Sequence, residues 1–303
     1  MSEPGPICVL GSITLDVVLN MPRFPLPGET LFARDRGLFP GGKGLNQAVA
    51  AARLGARSRL LGRVAQDPFA SILLDAADSA GVDRTGVVVG ATGQTGLAVP
   101  IVVAGGENAI LASPAANLDM TVADLGPVGR ITSAAMLLTQ FETPLGVVEE
   151  AIRRAKSASV PVLLNPAPVQ PFAPALLRSV DILVVNEVEA EMLAPGLSDH
   201  EDCARELLAR GPRCVVVTLG PSGGIYATPG AVERFDAFPV EGVDSVGAGD
   251  CFCAALAVGL VEGVALPEAL RFAAAAAAIS VTRPGAVPSY PSRREVESFL
   301  GRR

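Results

Sequence analysis

The sequence has no tryptophan, a single histidine and five cysteines in 303 residues, and these shortages exclude several kinds of chemistry. One imidazole, His200 in SDHEDCAREL, cannot build a histidine-rich zinc site. A Ser-His-Asp arrangement would have to draw on a polar segment that reads as a helix start, so His200 reads as structural or merely exposed. The cysteines, Cys8, Cys203, Cys214, Cys251 and Cys253, form no even framework. Cys251 and Cys253 would point to different sides of a helix and make a poor metal pair; reduced thiols acting as small apolar residues are the simpler reading. Basic stripes are also missing. With a net charge of −7, the chain has no means of displacing counterions from nucleic acid. The longest apolar runs, 251–261 and 272–281, are bounded by Asp250, Glu262, Arg271 and Arg283 and fall short of the ~18 residues a membrane span needs. The start, MSEPGPICVLGSI, lacks the basic-then-apolar pattern of a secretion leader. The expectation is a cytoplasmic protein that binds neither nucleic acid nor membrane.

What is present is the material of a large core. Half of the residues are apolar, with 32 Gly and 25 Pro, enough for one large domain or two average ones. Short apolar runs such as PICVLGSI, AAMLLTQF, VPVLLNP, DILVVNE and RCVVVTLG alternate with amphipathic patterns such as NQAVAAARLG, DPFASILLDAADSAG, TPLGVVEEAIRRAKSA and DHEDCARELLARG. Strands alternating with helices predict an α/β fold: a doubly wound, mostly parallel sheet flanked by helices. The run Ala273–Ala278 reads as tight helix packing. Two regions break the rhythm. Residues 12–35 alternate and carry several prolines; residues 94–111 look like a hairpin turning at Ala104-Gly105-Gly106-Glu107. Both are read as insertions into a single domain spanning 1–303, forming a small β-sheet lid. Ligands in such folds bind beyond the carboxyl ends of the strands, so the lid would cover the site.

Three Gly-rich segments compete as phosphate sites. Gly247-Ala248-Gly249 begins a dinucleotide fingerprint, but Phe252 stands where its last glycine belongs. Gly37 to Lys43 nearly spells a P-loop, yet Gly44 replaces the hydroxyl residue that would reach a metal, and RDRGLFPGG is no buried strand. Gly220-Pro221-Ser222-Gly223-Gly224 follows the strand RCVVVTL and reads as a turn or as a backbone wall beside a nucleotide. The segment VDSVGAGDCF is the most suggestive. Small residues at 247–249 would leave three backbone N–H groups open at a helix start, where the dipole favours anions. Asp250 in the first turn would be placed either to accept a proton from a hydroxyl or simply to cap the helix. Spacing alone leaves the two readings level.

FPGGKGLNQAVA, residues 39–50, closely resembles the N-terminal signature of ribokinases in the PfkB carbohydrate-kinase family, and DSVGAGDCF resembles the C-terminal signature of the same family. GSITLD, FETPL, LLNPAP, NEVEAE, TLGPSGG and RFAAAAAAISVTRPGAVPS stand between and around them in the matching order, so the resemblance covers essentially the whole chain. The family's doubly wound core with a small β lid agrees with the reading above. The resemblance implies that Asp250 deprotonates a primary sugar hydroxyl for attack on the γ-phosphate of ATP. Gly247, Ala248 and Gly249 would form the anion hole. Thr14, Asp16, Gly42, Lys43, Asn46 and Glu142 would hold the sugar. Asn186 and Glu189 would organise Mg²⁺, partly through water. Thr218, Gly220, Gly223, Gly249 and Asn186 would lie along ATP. In potassium-activated members a monovalent cation sits beside the anion hole; matching positions are Asp244, the carbonyls of Val246, Ser280, Arg283 and Gly285, and Ser289. A homodimer through the lid is also implied.

Three departures bear on the acceptor and the nucleotide. Thr14 stands where ribokinases usually carry an Asn that touches the sugar, Ala274 replaces a His near the adenine, and Cys251 replaces the commoner Thr after the aspartate. The expected reaction is conversion of D-ribose to D-ribose 5-phosphate. Its rivals are another acceptor (deoxyribose, fructose or a nucleoside) and a sugar-binding regulator without catalysis, against which the intact GAGD stands.

Overall fold

Continuous apolar runs become the inner strands of a sheet covered on both faces. The computed structural model describes residues 4–103 and 108–301; the anticipated turn at Ala104–Glu107 lies outside them. Strands β1 (Ile7–Leu10), β4 (Ser58–Ala65), β5 (Asp83–Gly90), β8 (Met136–Gln140), β9 (Val162–Asn165), β10 (Ile182–Asn186) and β11 (Cys214–Thr218) run parallel. β12 (Gly224–Thr228) and β13 (Ala231–Phe235) add antiparallel at one edge, giving the order β13-β12-β11-β10-β9-β8-β1-β4-β5. Side chains alternate between two cores, as the strand period requires. Ile7 and Val9 of β1 face the first core, and Cys8 and Leu10 face the second.

The first core is closed by α1 (Lys43–Arg53), α2 (Pro68–Ser79), α7 (Ala248–Val261), α8 (Leu266–Ser280) and α9 (Arg293–Gly301). The second is closed by the short α3 (Gly129–Thr132) with α4 (Leu145–Ser157), α5 (Glu187–Leu193) and α6 (His200–Ala209). The four amphipathic patterns are α1, α2, α4 and α6. Asp67 caps α2 by accepting from the Ala70 N–H at 3.0 Å, and Asp199 caps α6 by accepting from Glu201 and Asp202. The two longest apolar runs are α7 and α8. α7 is apolar all round because it lies between α1, α8 and the sheet. All five cysteines are free and buried. Among the described residues no helix is long and apolar enough to cross a membrane.

A second, four-stranded sheet has the order β3-β2-β6-β7, built from β2 (Thr14–Met21), β3 (Asp35–Gly41), β6 (Gly96–Val103) and β7 (Asn108–Ser113). Its β2–β6 pair is parallel and its outer pairs antiparallel. The 12–35 segment differs from expectation. Residues 22–34 hold no strand, because Pro22, Pro25 and Pro27 deprive that stretch of ladder donors. The partner strand is instead β3, within the stretch RDRGLFPGG that reads as no buried strand; it contains Pro40 and two glycines, and at a sheet edge a proline is tolerated.

This architecture sets where a ligand can go. β1 lies between β8 and β4, so the chain order reverses beside it. The carboxyl ends of β1 and β8 therefore open a crevice, and the small sheet follows directly from β1.

Candidate active site

The crevice is furnished by α1 as it leaves β3. Gly42, the residue before the helix, has φ +86°, and a Cβ there would lie 2.8 Å from both the Ser12 carbonyl oxygen and the Thr14 nitrogen. Only glycine turns the chain so close to the end of β1. The turn points the helix N-terminus at Glu142, whose Oε2 accepts from the Lys43 backbone N–H at 3.2 Å and from the Ser12 hydroxyl. A carboxylate at that end also meets the positive end of the helix dipole.

One turn further into α1, Asn46 and Gln47 reach α7. Asn46 Nδ2 donates to Asp250 Oδ2 at 2.9 Å, and Gln47 Nε2 donates to Asp250 Oδ1 at 3.0 Å. Asp250 is 6% exposed. Burial pushes its carboxyl pKa up; Lys43 and the two amides pull it down, and Glu142 pushes it up again. Asp16, on β2, feels burial, Glu142 and Asp250 together, and its pKa is pushed up to about 7. Lys43 answers this negative cluster: burial works against its charge, but Asp250, Glu142 and Glu189 outweigh it and its pKa is raised. Asp16, Gly42, Lys43, Asn46, Glu142 and Asp250 thus meet at one end of the crevice. Thr14 borders them, its Oγ1 accepting from Asn117 Nδ2 at 3.4 Å.

On the other side of Asp250 the α7 start is a left-handed turn, with Gly247 at φ +75°. The three amides at 247–249 are not equally open. Ala248 N–H donates to the Ser245 carbonyl at 3.2 Å, because the turn bends it back on the loop. Those of Gly247 and Gly249 have no partner among the described residues. A cavity of about 530 Å³ is lined in part by Ala248 and Gly249. Thr218, Gly220, Gly223, Phe235, Phe252 and Ala274 are among the residues that line it. Asn186, paired with Thr218 across the sheet, and Glu189 form a reciprocal cap of α5: Asn186 Oδ1 accepts from Glu189 N–H at 2.8 Å, and Glu189 Oε2 accepts from Asn186 N–H at 2.9 Å. Their remaining oxygen lone pairs suit a hard cation.

Asp244 joins two loops. Its Oδ1 accepts from Val246 N–H at 2.9 Å and its Oδ2 from Gly285 N–H at 2.8 Å, while the Ser289 hydroxyl donates to the Ala286 carbonyl at 2.7 Å. Arg283 Nη1 lies 3.5 Å from the Ser289 carbonyl, and the Ser280 hydroxyl donates to the Ala277 carbonyl at 2.8 Å. The six positions matched to a cation thus fall on the 244–246 loop and the chain from the end of α8 to 289, which the Asp244 carboxylate joins. Among the described residues no three His, Cys, Asp or Glu side chains group as metal ligands. His200 opens α6, with Nε2 3.4 Å from Glu191 on α5.

Several residues at the site carry no expectation from sequence: Ser12, Gln47, Gln140, Asn117 and Tyr290. Asn117 is buried and clamps the backbone of Ile13 from both sides, accepting its N–H at 2.8 Å and donating to its carbonyl at 3.0 Å. Tyr290 donates to the Gly247 carbonyl at 3.2 Å. The available signal was polarity inside an apolar run, as in MLLTQF and NQAVAAA, since buried polar residues need partners.

Residues 6–293 match the pfkB family carbohydrate kinase pattern. A ribokinase of Bacillus subtilis (strain 168) is 39% identical over 97% of this chain and 99% of its own length. A deoxyribokinase of Salmonella typhi is 33% identical over 97% of this chain and 98% of its own. A ribokinase of Arabidopsis thaliana, solved in complex with ribose and ATP, superposes with a TM-score of 0.91 at 32% identity, covering 98% of this chain and 99% of that one.

Proposed function

The chain belongs to the pfkB family of carbohydrate kinases, and from that premise we propose that it transfers the γ-phosphate of ATP to the primary hydroxyl of D-ribose. The observation that carries this reading is the position of the α7 start. There Gly249, which lines the cavity, is next in the chain to Asp250, whose buried carboxylate faces the cluster of Asp16, Lys43, Asn46 and Glu142. Asp250 takes the hydroxyl proton, the sugar oxygen bonds to the γ-phosphorus, and the bond to the bridging oxygen breaks to release ADP. The amides of Gly247 and Gly249, with Ala248 shaping the turn, stabilise the charge on the transferring group. Thr14, Asp16, Gly42, Lys43, Asn46 and Glu142 orient the sugar, their carboxylates accepting from hydroxyl pairs. Thr218, Gly220 and Gly223 border the nucleotide, and Asn186 and Glu189 would hold Mg²⁺ through water, which supplies charge neutralisation to the phosphates. The cytoplasm is the compartment this reading assigns, and a homodimer through the small sheet the assembly.

A screen of ADP release over ribose, deoxyribose, fructose and nucleosides tests the acceptor. Ribose should show the highest kcat/KM; a nucleoside in first place would overturn the reading. Deoxyribose is the second reading, favoured by Thr14, whose short side chain offers one donor fewer than an amide and is already engaged by Asn117. Thr14→Asn is expected to raise the preference for ribose over deoxyribose about tenfold, the worth of one hydrogen bond. An unchanged ranking would place acceptor choice elsewhere.

The same reading puts K⁺ between the 244–246 loop and the 283–289 chain. Exchanging Na⁺ for K⁺ at constant ionic strength should raise kcat, and Asp244→Ala should remove the difference. Equal rates in both salts would count against a cation at Asp244.

A further inference from the structure

We propose that Gln47 is a positioning residue for the Asp250 carboxylate, and that Gln140 fixes which way the Gln47 amide faces. This rests on Asp250 being the base of the proposed reaction. Gln47 is 0% exposed, so it cannot touch a ligand in the crevice, unlike its neighbour Asn46. Its Nε2 donates to Asp250 Oδ1 at 3.0 Å, opposite the Asn46 bond to Oδ2 at 2.9 Å. Each carboxylate oxygen is held by one amide donor.

An amide has a donor end and an acceptor end of nearly equal shape, and the network decides between them. Gln140, the last residue of β8 and also 0% exposed, donates from Nε2 to Gln47 Oε1 at 2.6 Å. With its acceptor end occupied, Gln47 has only its donor end to offer Asp250. Turned over, it would press a carbonyl against a carboxylate. Asn46 carries no such lock, its Oδ1 being buried without a partner among the described residues; Gln140 Oε1, at the far end of the chain of amides, is likewise unpaired there, so the Gln140 amide is held through its donor end alone. Room for the Gln140 amide comes from Gly11, where a Cβ would lie 2.0 Å from Gln140 Oε1. The chain of contacts therefore runs from the end of β1, through β8 and α1, to α7.

Orientation matters because a general base must present a lone pair within about 2.6–3.2 Å of the proton it takes, and a misplacement of about 1 Å can cost ~10²-fold in rate. Donors to a buried carboxylate also favour its ionised form. The other groups facing Asp250 are Lys43 from α1, Glu142 after β8, Asp16 on β2, Cys251 and Cys253 on α7 itself, and Tyr290.

Two variants separate positioning from packing. Gln47→Leu leaves the Gln140 donor buried and unpaired, so it should lower stability as well as rate. The double variant Gln47→Leu/Gln140→Leu replaces the Gln47–Gln140 pair with apolar groups and should recover the part of that stability lost at the unpaired Gln140 donor, while Asp250 Oδ1 still lacks its donor. If Gln47 positions the base, kcat falls about 10- to 100-fold in both variants, the sugar KM stays within about threefold, and the double variant does not regain rate. The Asp250 carboxyl, followed by carbon-13 NMR in aspartate-labelled protein and identified by its loss in Asp250→Asn, should titrate about one pH unit higher in both. Recovery of kcat together with stability in the double variant would show that Gln47 only fills space and overturn the proposal. So would an unmoved carboxyl titration. The titration needs no acceptor, so it reads the proposal even where the acceptor screen fails to find ribose as substrate.

Discussion

Replacing Asp250 by Asn is expected to lower kcat by ~10²–10⁴ while the sugar KM changes by no more than a few-fold. The carboxylate is the group placed to take the hydroxyl proton, and an amide of the same shape cannot take it. The fold should tolerate the change. Gln47 is held donor-first by Gln140, so the oxygen of the new amide will face it. The new NH₂ then faces Asn46, whose Oδ1 has no partner among the described residues and can turn to accept it. Stability supplies a second readout, with its sign fixed by the pKa directions. A carboxyl whose folded pKa lies above its unfolded one binds its proton more tightly in the fold, so stability falls as pH rises from the ordinary value through the folded one. Asp250 and Asp16 are both raised, and for Asp16 the window runs from 3.8 to about 7. Asp250→Asn should therefore melt no lower than the parent at neutral pH, and the two should converge as the pH falls below 4. Near-normal turnover in steady-state assays would remove Asp250 as the base.

The parts of this site that were legible in the sequence are those made by short stretches of chain. GGKG and GAGD announce themselves because each glycine serves a local need: Gly42 at φ +86° and Gly247 at φ +75° sit at turns that other residues enter only with strain. The helices were readable from their amphipathic periodicity, and the buried strands from their unbroken apolar runs. What escaped depends on contacts between distant positions. Gln47 and Gln140 are 93 residues apart in sequence, and Asn117 holds Ile13 across 104. Nothing local marks any of them except polarity in an apolar setting. β3 escaped for a different reason. Its proline and glycines argue against a buried strand, and its place at a sheet edge makes them compatible with an exposed one. The open N–H at Ala248 was a local expectation that failed, because the left-handed turn at Gly247 folds it back toward Ser245, a consequence of backbone geometry that composition does not carry.

Gly247→Ala is expected to lower kcat by ~10²–10³, the cost of losing one well-aimed donor to a developing charge, with a smaller effect on sugar KM. Two physical effects add. The left-handed conformation at φ +75° costs a residue with a side chain about 1–2 kcal/mol. The added Cβ would also stand 2.4 Å from the Tyr290 hydroxyl and 2.7 Å from Ala286 Cβ, so the turn must shift away from the 286–290 chain. That chain is not free to yield. Arg53 on α1 donates to the carbonyls of Val287 at 2.7 Å and Tyr290 at 2.9 Å, tying it to the helix that carries Asn46 and Gln47. The displacement therefore falls on the α7 start, and the amides of Gly247 and Gly249 lose their aim at the transferring group. Adding Tyr290→Phe removes the nearer obstacle and should recover part of the rate, though not the part lost to backbone strain. Parental kcat in Gly247→Ala, with an unchanged thermal melt, would mean that this turn neither carries strain nor meets the transferring phosphate.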